Sequence, residues 1–152
     1  MHGNLLVTLE RAAPVEALRG SAWGYPLLEV GHLLGIALLV GPIVAIDLRL
    51  LRRGADLPAT MLAAHLLPLA WIGFALAGLT GLALFAVSAT SYAANPIFWA
   101  KMAVIAGAGV NVLTLHRRGG VAASQGGARA AATTSLLLWI SAVGLGRAIA
   151  YW

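Results

Sequence analysis

Four apolar runs, each long enough to cross a lipid bilayer as a helix, constrain this chain more than any other feature. They cover about residues 26–48, 64–88, 97–115 and 130–150, and a helix needs about 20 residues to span the hydrocarbon core. Because 61% of all residues are hydrophobic and only 10% are charged, the composition is that of a membrane protein. We therefore predict an all-α fold in which residues 23–152 form one four-helix transmembrane bundle.

The first 22 residues precede these runs and mix apolar with charged side chains. The apolar ones are Leu5, Leu6, Leu9, Val15 and Leu18, and the charged ones are Glu10, Arg11, Glu16 and Arg19. Such a mixture predicts a short amphipathic helix that lies in the membrane interface and is interrupted at Pro14. A loosely ordered tail is the alternative, because chain termini fray by default.

Basic residues gather in or beside two of the three connecting loops. They are Arg49, Arg52, Arg53, Arg117, Arg118 and Arg129. The remaining loop, residues 89–96, carries no charge, so the positive-inside rule places both termini outside the cytoplasm. In a bacterial cell this predicts a multi-pass protein of the plasma (inner) membrane with periplasmic termini. The same rule explains the net charge of +5 without a nucleic-acid partner.

Aromatic residues support this orientation, because they cluster at the predicted outer boundary as the belts of membrane proteins do. They are Trp23, Tyr25, Tyr92, Phe98, Trp99, Tyr151 and Trp152. Small residues in the second run, which share one helix face, predict close contact with a neighbouring helix. They are Gly73, Ala77, Thr80, Gly81 and Ser88, with Gly31 and Gly35 as candidates in the first run.

An outer layer of polar residues lies just inside the predicted outer surface. It holds Glu29, His32, Lys101 and Arg147. One interpretation is structural, with Glu29 paired to Lys101 or Arg147 inside the bundle. The other is a polar pocket that takes a quinone headgroup, a small anion, or a proton passing through His32.

An inner layer lies at the opposite end and favours a metal more directly. It holds Asp47, Arg49, His65, Asn111 and His116. Two histidines facing each other from neighbouring helices are what a bis-histidine haem b requires, so His65 and His116 are the predicted metal ligands. Arg117 and Arg118 would then meet the haem propionates. Alternatively, both imidazoles lie among lipid headgroups and bind nothing.

The sequence resembles a family of small bacterial four-helix membrane proteins of unknown function. The resemblance rests on WGYPLLEVGHLLGIALLVG, DLRLLRRG, LLPLAWIGFALAGLTGLALF, SYAANPIFWAKM, AGAGVNVLTLH and SLLLWISAVGLGRAIAYW. It implies that certain polar residues belong to the family pattern: Glu29, His32, Asp47, Arg49, Asn95, Lys101, Asn111, His116 and Arg147. More remotely, the layout is similar to copper-resistance D-like and cytochrome-b-like membrane proteins.

Two classes of function remain open, and no soluble-enzyme motif adds a third. In the first, the protein is a small redox-associated membrane subunit that binds haem b or a quinone and transfers electrons, with a periplasmic redox protein as partner. In the second, it is a non-catalytic accessory subunit held in the lipid bilayer by other membrane subunits or by copies of itself. A proton or ion pathway along Glu29, His32 and Asp47 ranks below both, because about 22 Å of apolar helix separates Asp47 from His32.

Overall fold

The computed structural model describes residues 2–52, 57–122 and 125–151. Its α-helices are α1 (His2–Glu10), α2 (Ala13–Gly20), α3 (Gly24–Leu51), α4 (Ala59–Val87), α5 (Ala89–Ala94), α6 (Pro96–Arg117) and α7 (Gln125–Ala148), with short 3-10 helices at Gly120–Ala122 and Ile149–Tyr151. Four of these helices, α3, α4, α6 and α7, are long and apolar enough to cross a membrane. The all-α prediction and its four long apolar helices are therefore confirmed. Two residues named above, Arg53 and Trp152, lie outside the described residues.

Local sequence signals set the ends of α6. Asn95 caps its start, because the Asn95 side chain accepts a hydrogen bond from the Ile97 N–H at 2.9 Å, and Pro96 occupies the first helical position. After Arg117 the chain turns through Gly119 and Gly120, whose φ angles are 102° and 63°. Since this left-handed region favours glycine, the two glycines end α6.

Helices α3 and α4 pack with their backbones in direct contact. A Cβ at Gly35 would lie 2.5 Å from the Ala77 nitrogen, and a Cβ at Gly73 would lie 2.3 Å from the Leu39 nitrogen. No real side chain fits at those distances, so glycine is what permits the approach. The predicted seam of small residues is confirmed at Gly35, Gly73 and Ala77.

The long helices follow one another in space in the order α4, α3, α7, α6. Helix α3 packs against α4 on one side and α7 on the other, and α6 packs against α7. Within the described part of the chain, α4 and α6 barely touch each other. Trp139 of α7 occupies the centre of the core, where it packs with Leu39, Ala70 and Ala108 from the other three long helices.

Helices α1 and α2 lie against the start of α5 and the end of α4. Both the N–H and the hydroxyl of Thr90 donate to Glu10 Oε1, at 2.8 and 2.7 Å, and Arg19 donates to the carbonyl of Val87. The backbone and side-chain hydrogen bonds from Thr90 lower the pKa of the Glu10 carboxyl. The predicted amphipathic helix is not evident: the segment forms two helices, and its Glu10 and Arg19 side chains bind the protein itself.

Two ends of the bundle are distinguished below. The α5 end holds α5 together with the start of α3 and the end of α7, and the basic end holds Arg49, Arg117, Arg118 and Arg129. Between them, large apolar side chains cover the outside of the long helices. Examples that are more than half exposed are Leu33, Trp71, Ile72, Leu79, Leu82, Val110, Leu137 and Ile140. A surface of that kind suits contact with a lipid bilayer.

Candidate functional site

His32 of α3 is held in one orientation at the α5 end. Its Nδ1 lies 3.0 Å from the carbonyl oxygen of Ala77 and 3.1 Å from Oγ1 of Thr80, both on α4. A carbonyl oxygen only accepts, so Nδ1 carries the proton and donates. In the neutral ring this leaves Nε2 as an acceptor, available to a ligand.

Gly81 makes room for the His32 imidazole. A Cβ at position 81 would lie 3.0 Å from Cε1 of His32 and 3.5 Å from Nδ1. Any larger residue would push the ring away from Ala77 and Thr80. Thr80 is itself fixed, because its hydroxyl donates to the Leu76 carbonyl at 2.6 Å. Residues 76–81 of α4, less than two helical turns, therefore shape the position of this one side chain.

Lys101 of α6 reaches the same level from the other side of the bundle. Its Nζ would lie 3.3 Å from a Cβ at Gly146, so the lysine side chain passes over α7 at a position where that helix has no side chain. The side chain is half-buried and lies close enough to His32 for the two charges to interact. The structure thus brings together two of the four residues of the predicted outer layer, a fixed imidazole and a cation.

The other two residues of that layer turn elsewhere. Glu29 is exposed, and its carboxylate interacts with Tyr25, which also reaches Tyr92. Arg147 donates to the Tyr151 hydroxyl at 2.7 Å, with its guanidinium carbon 4.9 Å from the Tyr151 ring centre. Among the described residues, neither Lys101 nor Arg147 pairs with Glu29, so the expected buried ion pair is not formed.

Aromatic rings adjoin the His32–Lys101 pair at the α5 end. Phe85 of α4 stacks on Phe98 of α6 with ring centres 5.4 Å apart, and Tyr92 of α5 lies 5.6 Å from Phe98. Phe98 precedes Lys101 by one helical turn, and Phe85 follows Gly81 by one turn. The rings therefore connect α4 to α6 at the level where these two helices otherwise barely touch.

The two histidines of the predicted haem site are far from that arrangement and do not face each other. His65 is exposed, with Nδ1 2.9 Å from the Met61 carbonyl of its own helix. His116 is exposed at the end of α6, next to Arg117, and Arg118 lines an open polar cleft of about 370 Å³ between α6 and α7. Both imidazoles lie toward the basic end, and their joint ligation of a haem stays a prediction.

Metal-ligating side chains are also sparse elsewhere. In the described ranges, no group of three or more His, Asp or Glu side chains converges as a metal site would require. The predicted bis-histidine pair needs only two ligands and stays a prediction.

The three other residues of the inner layer have separate surroundings. Asp47 is buried and hydrogen-bonded with Ser135 of α7. Arg49 donates to the carbonyl of Leu57. Asn111 donates to the carbonyl of Ala131 at 2.9 Å and so ties α6 to α7. They do not form one cluster, although each lies toward the basic end.

Comparison with known families adds one finding. The profile of a family of unknown function, DUF6644, matches residues 24–152. The chain belongs to the DUF6644 family. No curated protein and no solved structure matches it. The resemblance to a family of unknown function is thereby confirmed, whereas bacterial origin and the remote likeness to copper-resistance D-like and cytochrome-b-like proteins stay predictions.

The DUF6644 match begins at the first residue of α3. Helices α1 and α2 therefore lie before the matched region, and His32, Lys101, Asp47 and Ser135 all lie inside it. The family brings no activity with it, so function has to be argued from the site itself.

Several residues of this DUF6644 chain acquire a role only from the structure. Thr80 appears in the sequence as one small residue among others, and Ser135 and Trp139 as ordinary members of an apolar helix. One signal was present, since Ser135 and Trp139 are spaced by four residues and so share a helix face. Which neighbouring helix that face meets is not encoded in the spacing.

Proposed function

We propose that this protein is a small integral membrane subunit of a redox process, in which His32 and Lys101 bind the headgroup of a lipid-soluble quinone. The observation that carries the proposal is the orientation of His32: Nδ1 is bound to Ala77 and Thr80, and Nε2 is left for a ligand. The plasma membrane of a bacterial cell, with the α5 end on the periplasmic side, is part of the same proposal and follows from the loop charges.

The chemistry of a quinone headgroup fits these two side chains. A quinone offers two carbonyl acceptors, and the Lys101 ammonium donates to one of them. Its reduced form offers hydroxyl donors, and the neutral His32 Nε2 accepts from one of those and can take its proton. Electrons then pass between the bound headgroup and a redox partner subunit.

The surroundings of the pair fit a flat, apolar ligand. Phe85 and Phe98, which stack on each other one turn from the site, make its surroundings aromatic and apolar, and this favours a quinone over a small anion. A lipid-soluble ligand would have to enter between α4 and α6 beside the Phe85–Phe98 stack, because these two helices make few other contacts. A site that its ligand reaches only from water would not need a route between α4 and α6.

Binding of a short-chain quinone to the purified protein in nanodiscs tests the proposal. We expect quenching of tryptophan fluorescence that saturates, with affinity reduced about tenfold or more in His32→Gln and Lys101→Met, the loss expected for one good polar contact. His65→Gln is the matched control, because it removes an exposed imidazole from α4 and should leave affinity unchanged. Equal affinity in all four proteins would refute the quinone site.

A second function, an accessory subunit of a larger membrane assembly, is supported by Glu29. This carboxylate is exposed five residues into a helix that is apolar enough to cross the bilayer. A charge on such a helix is costly unless a polar group covers it. We would expect a partner helix to supply that group, so Glu29→Gln should weaken co-purification of partner subunits in mild detergent. A chain that runs alone and monomeric with or without the change contradicts this alternative.

A further inference from the structure

Three buried polar side chains lie where α3 meets α7, away from the proposed quinone site. Asp47 is 6% exposed, Ser135 is 5% exposed and Trp139 is 9% exposed. The Ser135 hydroxyl and the Asp47 carboxylate are hydrogen-bonded. Asp47 Oδ2 and Trp139 Nε1, by contrast, have no hydrogen-bond partner among the described residues. Because buried polar atoms in native proteins almost always have a hydrogen-bond partner, we expect these two atoms to have one as well.

No cationic side chain that the structure describes supplies it. Arg49 turns to the carbonyl of Leu57, and His65 of α4 is exposed and bound to its own helix. On α6, His116, Arg117 and Arg118 are exposed, and on α7 Arg129 precedes Ser135 by six residues, about 9 Å along the axis. An ionised carboxylate enclosed among apolar helices without a counter-charge is expensive.

We propose that Asp47 and Ser135 form a buried site for a monovalent cation, a proton or a sodium ion, which neutralises the carboxylate. A carboxylate and a hydroxyl are oxygen ligands of the kind that small, hard cations take. Trp139 follows Ser135 by one helical turn, and its indole N–H can only donate. It therefore ligates no cation.

This site is separate from the quinone site and would remain if that proposal failed. Asp47 lies fifteen residues after His32 on α3, which is about 22 Å along the helix. The two sites share the α3 helix but none of their ligands. The contact of Asp47 with Ser135 joins α3 to α7, so the cation would hold these two helices together.

Thermal unfolding in a neutral detergent tests the sodium form. At alkaline pH and constant ionic strength, we expect replacement of choline chloride by sodium chloride to raise the Tm of the native protein by several degrees, because a ligand that binds only the folded state stabilises it. Asp47→Asn should abolish the effect and Ser135→Ala should reduce it. Ser141→Ala, an exposed serine of the same helix, should respond as the native protein does.

Infrared spectroscopy tests the proton form. A neutral Asp47 should give a protonated-carboxyl band at neutral pH that is absent in Asp47→Asn and present in Glu29→Gln, which changes an exposed carboxylate of the same helix. Ser135→Ala should shift the band without removing it, which keeps the test valid if Asp47→Asn folds poorly. A sodium-specific rise in Tm assigns the site to sodium, and the band assigns it to a proton. A native protein that shows neither overturns the proposal.

Discussion

Gly73 of α4 lies against Leu39 of α3 so closely that a Cβ at position 73 would stand 2.3 Å from the Leu39 nitrogen. Hydrophobicity does not hold helices together in lipid, so contact of this kind is what joins α3 to α4. The same contact places Ala77 and Thr80 where they bind His32. The close approach at Gly73, together with that of Gly35 against Ala77, therefore sets both the packing and the site geometry.

Gly73→Ala should destabilise the protein, because the added methyl group has to push α3 away from α4. We expect a loss of about 1–3 kcal/mol in the free energy of unfolding, as for other overpacked contacts, measured in detergent. Gly78→Ala lies on the same helix with no atom within 4 Å of the added group. It should cost nothing, and an equal loss at both positions would contradict the contact.

Acid should release the N-terminal segment. The pKa of Glu10 is lowered in the folded state by the hydrogen bonds from Thr90, so the stabilisation it supplies is complete above the pKa of the unfolded chain and is lost as the pH falls through the lowered pKa. We expect the protection factor of the Thr90 amide, its exchange rate compared with that of an unfolded chain at the same pH, to be high at neutral pH and to fall at acid pH.

Two variants check this assignment. Glu10→Gln should remove the pH dependence, whereas Glu16→Gln, an exposed carboxylate on α2, should retain it. A protection factor at Thr90 that is the same at both pH values in the native protein would show that Glu10 does not hold α5.

Asn111→Ala should loosen α6 from α7. The Asn111 side chain donates to the Ala131 carbonyl across the helix contact, and such bonds between membrane helices contribute about 0.5–2 kcal/mol. Thr133→Ala is the comparison, since Thr133 bonds only the Arg129 carbonyl of its own helix. The free energy of unfolding should fall in the first variant and stay within error in the second.

A single chain should bind no bis-histidine haem through His65 and His116. Because both imidazoles are exposed and His65 is bound to the Met61 carbonyl of its own helix, we expect purified monomer, produced with ample haem, to show no b-type Soret band. A band that disappears in both His65→Ala and His116→Ala would prove the expectation wrong. A band seen only in an oligomer would place the two ligands on different copies.

Single cysteines can report the orientation, because the chain has no cysteine of its own. Ala94→Cys lies exposed on α5 and Ala122→Cys lies exposed beyond α6. If the basic end is cytoplasmic, an impermeant maleimide should label the first in intact cells and the second only after permeabilisation. The reverse pattern would invert the proposed topology.

The four long helices could be read from the sequence, and so could part of their packing. The apolar runs predicted α3, α4, α6 and α7 because length and hydropathy are local properties. The glycines of α3 and α4 predicted the close contact for the same reason. Even so, α7 begins at Gln125, five residues before the apolar run, since a helix can extend beyond the part that is apolar.

The partners of the polar residues could not be read in the same way. Glu29 shares a helix face with Asp47 in the sequence pattern, yet Glu29 is exposed while Asp47 is buried. The expected approach of His65 to His116 rests on helices consecutive in the chain being neighbours in space, and it stays a prediction. Rotation of a helix about its axis, and the order of helices around the bundle, depend on contacts between distant residues, which spacing along one helix does not contain.

The helix order also divides the molecule into two hairpins, α3 with α4 and α6 with α7, that meet mainly where α3 crosses α7. Glycine contacts make the first hairpin rigid, and Asn111 closes the second. Motion of the bundle is then easiest as a rotation of one hairpin against the other. Both proposed sites straddle that hinge, His32 opposite Lys101 and Asp47 opposite Ser135. We therefore expect a ligand bound at one site to change the angle between the hairpins, and so to change the geometry of the other site.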